Sequence, residues 1–155
     1  MAAGVPTVWT LLLNYLDQSG TRLETLKRTL IGGSAVPLQM IRDFEEKHGV
    51  QVLQGWGMTE TSPLGTVGTL RAEQESLPAE QRYQIKVRQG RGIFGVSRKI
   101  VDDEGHELPW DGKSAGELKV RGPWVCSGYY RLEHSAAHDK DGWFATGDVG
   151  VMDER

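Results

Sequence analysis

Val50-Gln51-Val52-Leu53-Gln54-Gly55-Trp56-Gly57-Met58-Thr59-Glu60-Thr61-Ser62-Pro63 runs from a short apolar stretch directly into a polar, glycine-rich loop. Residues 50–53 read as a strand too short to be confused with a helix. The loop brings an aromatic ring, two glycines, hydroxyls and a carboxylate together within a few positions. A packed core has little use for that mixture, whereas a nucleotide does. A ring stacks on a base, and glycines let the main chain approach a ligand closely. A threonine hydroxyl donates to phosphate, and a carboxylate holds Mg²⁺ against a triphosphate.

Upstream, residues 26–31 form a second β-compatible run, stopped by Gly32-Gly33-Ser34. Pro37 then opens a helix with Leu38, Ile41 and Phe44 on one face and Gly49 just past its end. If the two strands pair in parallel through a right-handed crossover, their C-terminal ends share one sheet edge. The loops at 32–35 and 54–60 then flank one crevice, the usual ligand position in open α/β sheets. Further upstream, Pro6 starts an amphipathic helix bearing Val8, Trp9, Leu12, Leu13 and Leu16, which Gln18-Ser19-Gly20 ends.

Downstream, the polar stretch 71–82 leads into a short helix from about 78 to 88. Residues 94–101 read as a strand followed by the turn Asp102-Asp103-Glu104-Gly105. Residues 117–121 alternate as a half-buried strand should. A helical turn is expected at 133–139, a buried Trp143-Phe144 pair next, and a last strand at 149–152. The expected fold class is α/β, a sheet-and-helix portion followed by a β-rich portion. Its expected parts are residues 1–70, a helical connector at 71–92, and residues 93–155.

A chain of 155 residues suits one domain with a modest core. Its formal charge of −3 comes with no basic stripe, which argues against nucleic-acid binding. Arg82, Lys86, Arg88 and Arg91 read as a solvated helix face. Cys126 is the single cysteine, so there is no disulfide framework or Cys-rich metal site; it reads as a small buried side chain. No stretch is apolar enough to span a membrane, and residues 1–5 lack the features of a signal peptide. A reducing, cytoplasmic setting is expected.

The order Gln54-Gly55-Trp56-Gly57-Met58-Thr59-Glu60 resembles the aromatic-Gly-x-Thr-Glu motif of the adenylate-forming (AMP-binding) superfamily. Three further segments resemble that superfamily in the expected order. Gly32-Gly33-Ser34-Ala35-Val36-Pro37 is similar to the loop that lies against adenine. Gly116-Glu117-Leu118-Lys119-Val120-Arg121-Gly122-Pro123, with Gly128-Tyr129-Tyr130, is similar to a structural Gly-Glu-Leu block. Asp141-Gly142-Trp143-Phe144-Ala145-Thr146-Gly147-Asp148 is similar to a Thr-Gly-Asp motif. The pattern most resembles medium- and long-chain fatty acyl-CoA synthetases, which implies a part of their N-terminal domain.

That resemblance implies roles at individual positions. Trp56 stacks on adenine, with Gly33, Ser34, Ala35, Gln54, Gly55, Gly57 and Met58 lining the base and the start of the acyl groove. Thr59 contacts phosphate and Glu60 coordinates Mg²⁺, making these two the expected catalytic residues. Asp148 accepts hydrogen bonds from the ribose hydroxyls. The implied substrates are ATP, a fatty acid and coenzyme A, with lipid metabolism as the setting and a homo-oligomer left open.

Structural readings stand beside these: Trp56 as a core aromatic, Asp148 as a turn cap, Glu60 as a helix-start carboxylate. Glu117 and Arg121 read as strand positions, His48 and His106 as surface residues, and His134 with His138 as an i,i+4 pair lacking a third metal ligand. Tyrosine is more usual in the family where Trp56 stands, and the loop at 90–95 lacks the family's prolines. The family's phosphate loop, hinge and C-terminal catalytic lysine are not in this sequence. The chain is therefore expected to be part of a larger protein and inactive alone. An aryl-, amino- or carrier-protein-directed ligase, or a non-catalytic domain on the same scaffold, are the alternatives.

Overall fold

Pro6 at the first helical turn and Gly20 just past the last one delimit helix α1, Pro6–Ser19, as the sequence suggested. Gly20 adopts φ +67° and donates its N–H to Leu16 O at 3.0 Å, which satisfies a carbonyl that the helix end leaves over. The computed structural model describes residues 1–132 and 137–154. It consists of two units: residues 1–58 with 64–93, and residues 59–63 with the chain from 94 onward.

In the first unit, β1 (Ala2–Gly4), β2 (Arg28–Gly32), β3 (Gln51–Trp56), β4 (Thr66–Val67) and β5 (Arg91–Gly92) form one sheet in sequence order. The β2–β3 pair is parallel, with Ile31 opposite Gln54 and Gly32 opposite Gly55. β1 adds a further parallel strand, while β4 and β5 are antiparallel. β1 was not expected: Ala-Ala-Gly carries no strand pattern, and its place comes from pairing with residues 29–31.

Helix α2 (Leu38–Arg42) continues into a wider π-helical turn, Asp43–Lys47. Together they bury Met40, Ile41 and Phe44, with Leu38 packed at the margin. The Phe44 ring meets Trp9 of α1 edge-to-face, centroids 5.5 Å apart. With Leu13, Ile31, Val36, Val50 and Val52 these rings make the core. Truncating a fully buried phenylalanine such as Phe44 to alanine costs about 3–5 kcal/mol.

Helices α3 (Ala72–Glu75) and α4 (Ala79–Lys86) follow β4. The reading of residues 82–91 as a solvated basic face is corrected at one position. Lys86 is buried and its Nζ reaches the Glu45 carboxylate, which also accepts the Val52 N–H at 3.0 Å. A lysine enters a core only when its charge is paired. His48 also departs from expectation, being half-buried beside the Phe44 ring.

The second unit is an antiparallel meander of β6 (Ser97–Val101), β7 (Asp111–Arg121) and β8 (Phe144–Asp153). Val96, Ile100, Val101, Val120 and Phe144 are its buried apolar residues. The turn after β6 forms as expected, with Gly105 at φ +86° and its N–H on Asp102 O at 3.0 Å. β7 and β8 both begin earlier than the patterns at 117–121 and 149–152 suggested. Trp143 is half-buried rather than buried, with the cations of Lys99 (4.6 Å) and Arg121 (4.7 Å) against its ring. Cys126 is likewise half-buried. His134, and residues 133–136 of the expected helical turn, lie outside the described residues.

Candidate functional site

The parallel β2–β3 pair places the end of each strand on the same sheet edge. Gly32 and Gly55 face each other there so closely that a Cβ on Gly32 would stand 2.7 Å from Gly55 O. Only hydrogen side chains permit that approach. Gly33 then turns at φ +87°, leaving Ser34 and Ala35 exposed. Gln54 ties the two segments together: its side chain is 1% exposed and its Oε1 accepts the Val36 N–H at 3.3 Å. Among the described residues its Nε2 is a buried donor with no hydrogen-bond partner. Gln54 thus pins the 33–35 loop to β3.

Trp56 closes β3 and is half-buried. It pairs with Thr66 across to β4, and its carbonyl accepts the Gly65 N–H at 2.9 Å. Its indole lies against Gly65. Gly57 and Met58 follow, half-buried and outside regular structure. Gly33, Ser34, Ala35 and residues 54–58 therefore share one edge of the first unit.

Thr59, Glu60 and Asp148 belong to the second unit. Thr59–Thr61 forms a single 3₁₀ turn, with Thr59 exposed and Glu60 half-buried. The Glu60 Oε1 accepts the Tyr129 hydroxyl at 2.9 Å, and its main-chain carbonyl accepts the Cys126 N–H at 2.8 Å. The hydrogen bond to Glu60 is also the main cause that raises the Tyr129 phenol above its ordinary pKa. Among the described residues no Lys or Arg pairs with the Glu60 carboxylate. An unneutralised, partly anchored oxygen donor fits a hard divalent cation.

Asp148 sits where β8 departs from its ladder. Glu117 pairs with Val149 and Lys119 with Ala145, so residues 146–148 stand opposite Leu118 alone. The Thr146 hydroxyl donates to Leu118 O at 2.7 Å and accepts the Asp148 N–H at 3.1 Å. Gly147 takes φ +76°, which a side chain would resist. This bulge leaves the Asp148 side chain exposed. Bulges of this kind re-aim side chains at functional sites.

Tyr129 is the residue that sequence reasoning missed as a partner. It was read as part of a structural block, and nothing local signals a contact 69 positions away. His106, expected at the surface, is exposed and contacts Asp102.

This arrangement matches part of the fold of the N-terminal domains of acyl-CoA ligases and adenylation enzymes. Residues 1–130 match the family of AMP-binding enzymes, and the chain belongs to that family. It is 49% identical over 153 residues to a 3-methylmercaptopropionyl-CoA ligase of Ruegeria lacuscaerulensis, covering 99% of this chain and 28% of that protein. It is 45% identical over 154 residues to a long-chain-fatty-acid–CoA ligase of Thermus thermophilus, covering 98% and 28%. The o-succinylbenzoate CoA synthetase of Bacillus subtilis, solved in complex with its acyl-adenylate intermediate, matches with a TM-score of 0.73 at 28% identity, covering 98% of this chain and 28% of that one. The chain thus spans 28% of the length of the curated relatives.

Proposed function

We propose that this chain belongs to an AMP-forming acyl-CoA ligase whose substrate is an aliphatic carboxylate. The observation that carries the reading is the β2–β3 edge, where Gly32 meets Gly55 and the 33–35 loop stands beside residues 54–58. Family membership over residues 1–130 supports it. Relatives at 44–49% identity are named for 3-methylmercaptopropionyl, medium-chain and long-chain fatty acyl groups, which favours an aliphatic over an aryl acid.

In this reading the carboxylate oxygen attacks the α-phosphorus of ATP, the bond to the β-phosphate oxygen breaks, and pyrophosphate leaves. The thiolate of coenzyme A then attacks the acyl carbon and expels AMP. Trp56 and the 33–35 loop take the adenine, Asp148 the ribose hydroxyls, Thr59 a phosphate oxygen and Glu60 the Mg²⁺. The ion would supply charge neutralisation at the triphosphate. The chain's own part is orientation and charge stabilisation, since ATP supplies the leaving group. No protein nucleophile is needed. The reaction is placed in the cytoplasm and requires the whole protein, not this chain alone.

The test is carboxylate-dependent ATP–pyrophosphate exchange by the full-length protein, its Glu60→Ala variant and this chain alone. Exchange with medium- or long-chain acids, lost in the variant and absent from the isolated chain, is expected. A folded full-length protein that exchanges with no carboxylate would sink the reading.

A further inference from the structure

We propose that Tyr129 is a positioning residue for Glu60, its hydroxyl holding one carboxylate oxygen so that the other meets a divalent cation in a fixed orientation. The proposal rests on Glu60 being the metal-facing carboxylate of the reading above.

The segment that carries Tyr129 grips Glu60 twice. The Tyr129 hydroxyl donates to Oε1 at 2.9 Å, and the Cys126 N–H donates to the Glu60 carbonyl at 2.8 Å. Main chain and side chain of one glutamate are therefore held by residues only three apart. The segment is itself anchored. The Cys126 carbonyl lies 2.7 Å from His138 Nε2, and the His138 ring packs on Phe144 with centroids 5.1 Å apart. Phe144 is 2% exposed and opens β8. Tyr129 thus reaches Glu60 from a support built into the meander.

A glutamate side chain has three rotatable bonds, and binding a cation must freeze them. A hydroxyl that fixes one oxygen in advance removes part of that cost, and it leaves a single oxygen to face the ion. Carboxylates that ligate metals are commonly held this way, and losing such a support typically lowers metal affinity 10- to 100-fold. Tyr129 is 41% exposed, so its hydroxyl can be removed without opening a core cavity. Among the described residues it is the one side chain that hydrogen-bonds the Glu60 carboxylate.

The test is equilibrium ATP binding by the full-length protein, measured calorimetrically across a Mg²⁺ series. Wild type, Tyr129→Phe, Glu60→Gln and the double variant are compared, with metal-free AMP binding as reference. Tyr129→Phe is expected to raise the Mg²⁺ concentration for half-maximal ATP binding about tenfold and to leave AMP binding unchanged. In the Glu60→Gln background it should have almost no effect, because the two act as a unit. An unchanged Mg²⁺ requirement, an equal loss of AMP affinity, or an undiminished effect in the Glu60→Gln background would each overturn the positioning role while leaving the functional reading intact. Wild type that binds no ATP, or binds it without regard to Mg²⁺, would overturn both.

Discussion

The indole of Trp56 lies against the α-carbon of Gly65, so close that a Cβ there would stand 2.3 Å from Cζ3 and 2.7 Å from Cε3. Gly65 therefore sets where the ring rests. Gly65→Ala must displace the indole, and overpacking of this kind costs about 1–3 kcal/mol. A lower denaturation midpoint, a shifted tryptophan emission and weaker ATP binding by the full-length protein are expected together. Wild-type ATP affinity with a displaced ring would show that Trp56 does not serve the base.

Glu45 and Lys86 form an ion pair inside the first unit, with side chains 17% and 9% exposed. Removing one partner leaves a charge in a poor solvent, at a cost of about 3 kcal/mol or more. Lys86→Met is expected to cost that much by urea denaturation. Glu45→Gln introduced with it should recover part of the loss, because no lone charge then remains. Equal stability of Lys86→Met and wild type would show the pair to be dispensable.

Tyr83 gives the protein an alkaline limit. Burial first, then its hydrogen bond with Glu46, pushes the phenol up to about 12. The unfolded chain releases that proton near pH 10. The folded state therefore holds the proton more tightly, and this contribution is whole below about pH 10 and lost as the pH rises towards 12. Denaturation midpoints of wild type should fall between about pH 10 and 12 more steeply than those of Tyr83→Phe. Parallel slopes for the two would contradict the assignment.

Asp148 is exposed on the β8 bulge, and Asp148→Asn keeps the side chain's size and shape, so the protein should still fold. Under the proposed function Asp148 accepts charge-assisted hydrogen bonds from the ribose, and these would be weakened. A KM for ATP raised about 10-fold or more is expected, given that hydrogen bonds to charged groups are worth about 1.5–3 kcal/mol. Kinetics indistinguishable from wild type would remove Asp148 from the ribose site.

What was legible in the sequence was local or periodic. Pro6, Gly20 and the Trp9–Leu13–Leu16 spacing gave α1, and two apolar runs flanking a Pro37-initiated helix gave two strands, whose parallel pairing the sequence left conditional. What escaped depends on partners distant in the chain. Ala2-Ala3-Gly4 is a strand because Thr29, Leu30 and Ile31 accept it, and Lys86 is buried because Glu45 meets it. Half of β7 was hidden because Gly112 and Gly116 dilute the β pattern that pairing with β8 enforces. For the candidate site, the loops themselves were readable from composition. Tyr129 beneath Glu60 was not, since a hydroxyl–carboxylate contact leaves no periodic trace.

The bulge at 146–148 has a further property, one of parity. Four steps along β8, from Ala145 to Val149, are matched by two along β7, from Lys119 to Glu117. The surplus is two residues, an even number, so the strand resumes with its inward and outward positions unexchanged. A register slip of one residue would instead turn every side chain beyond it to the opposite face. The even surplus lifts Asp148 out of the ladder while Gly150 and Met152 return to the face that Phe144 buries.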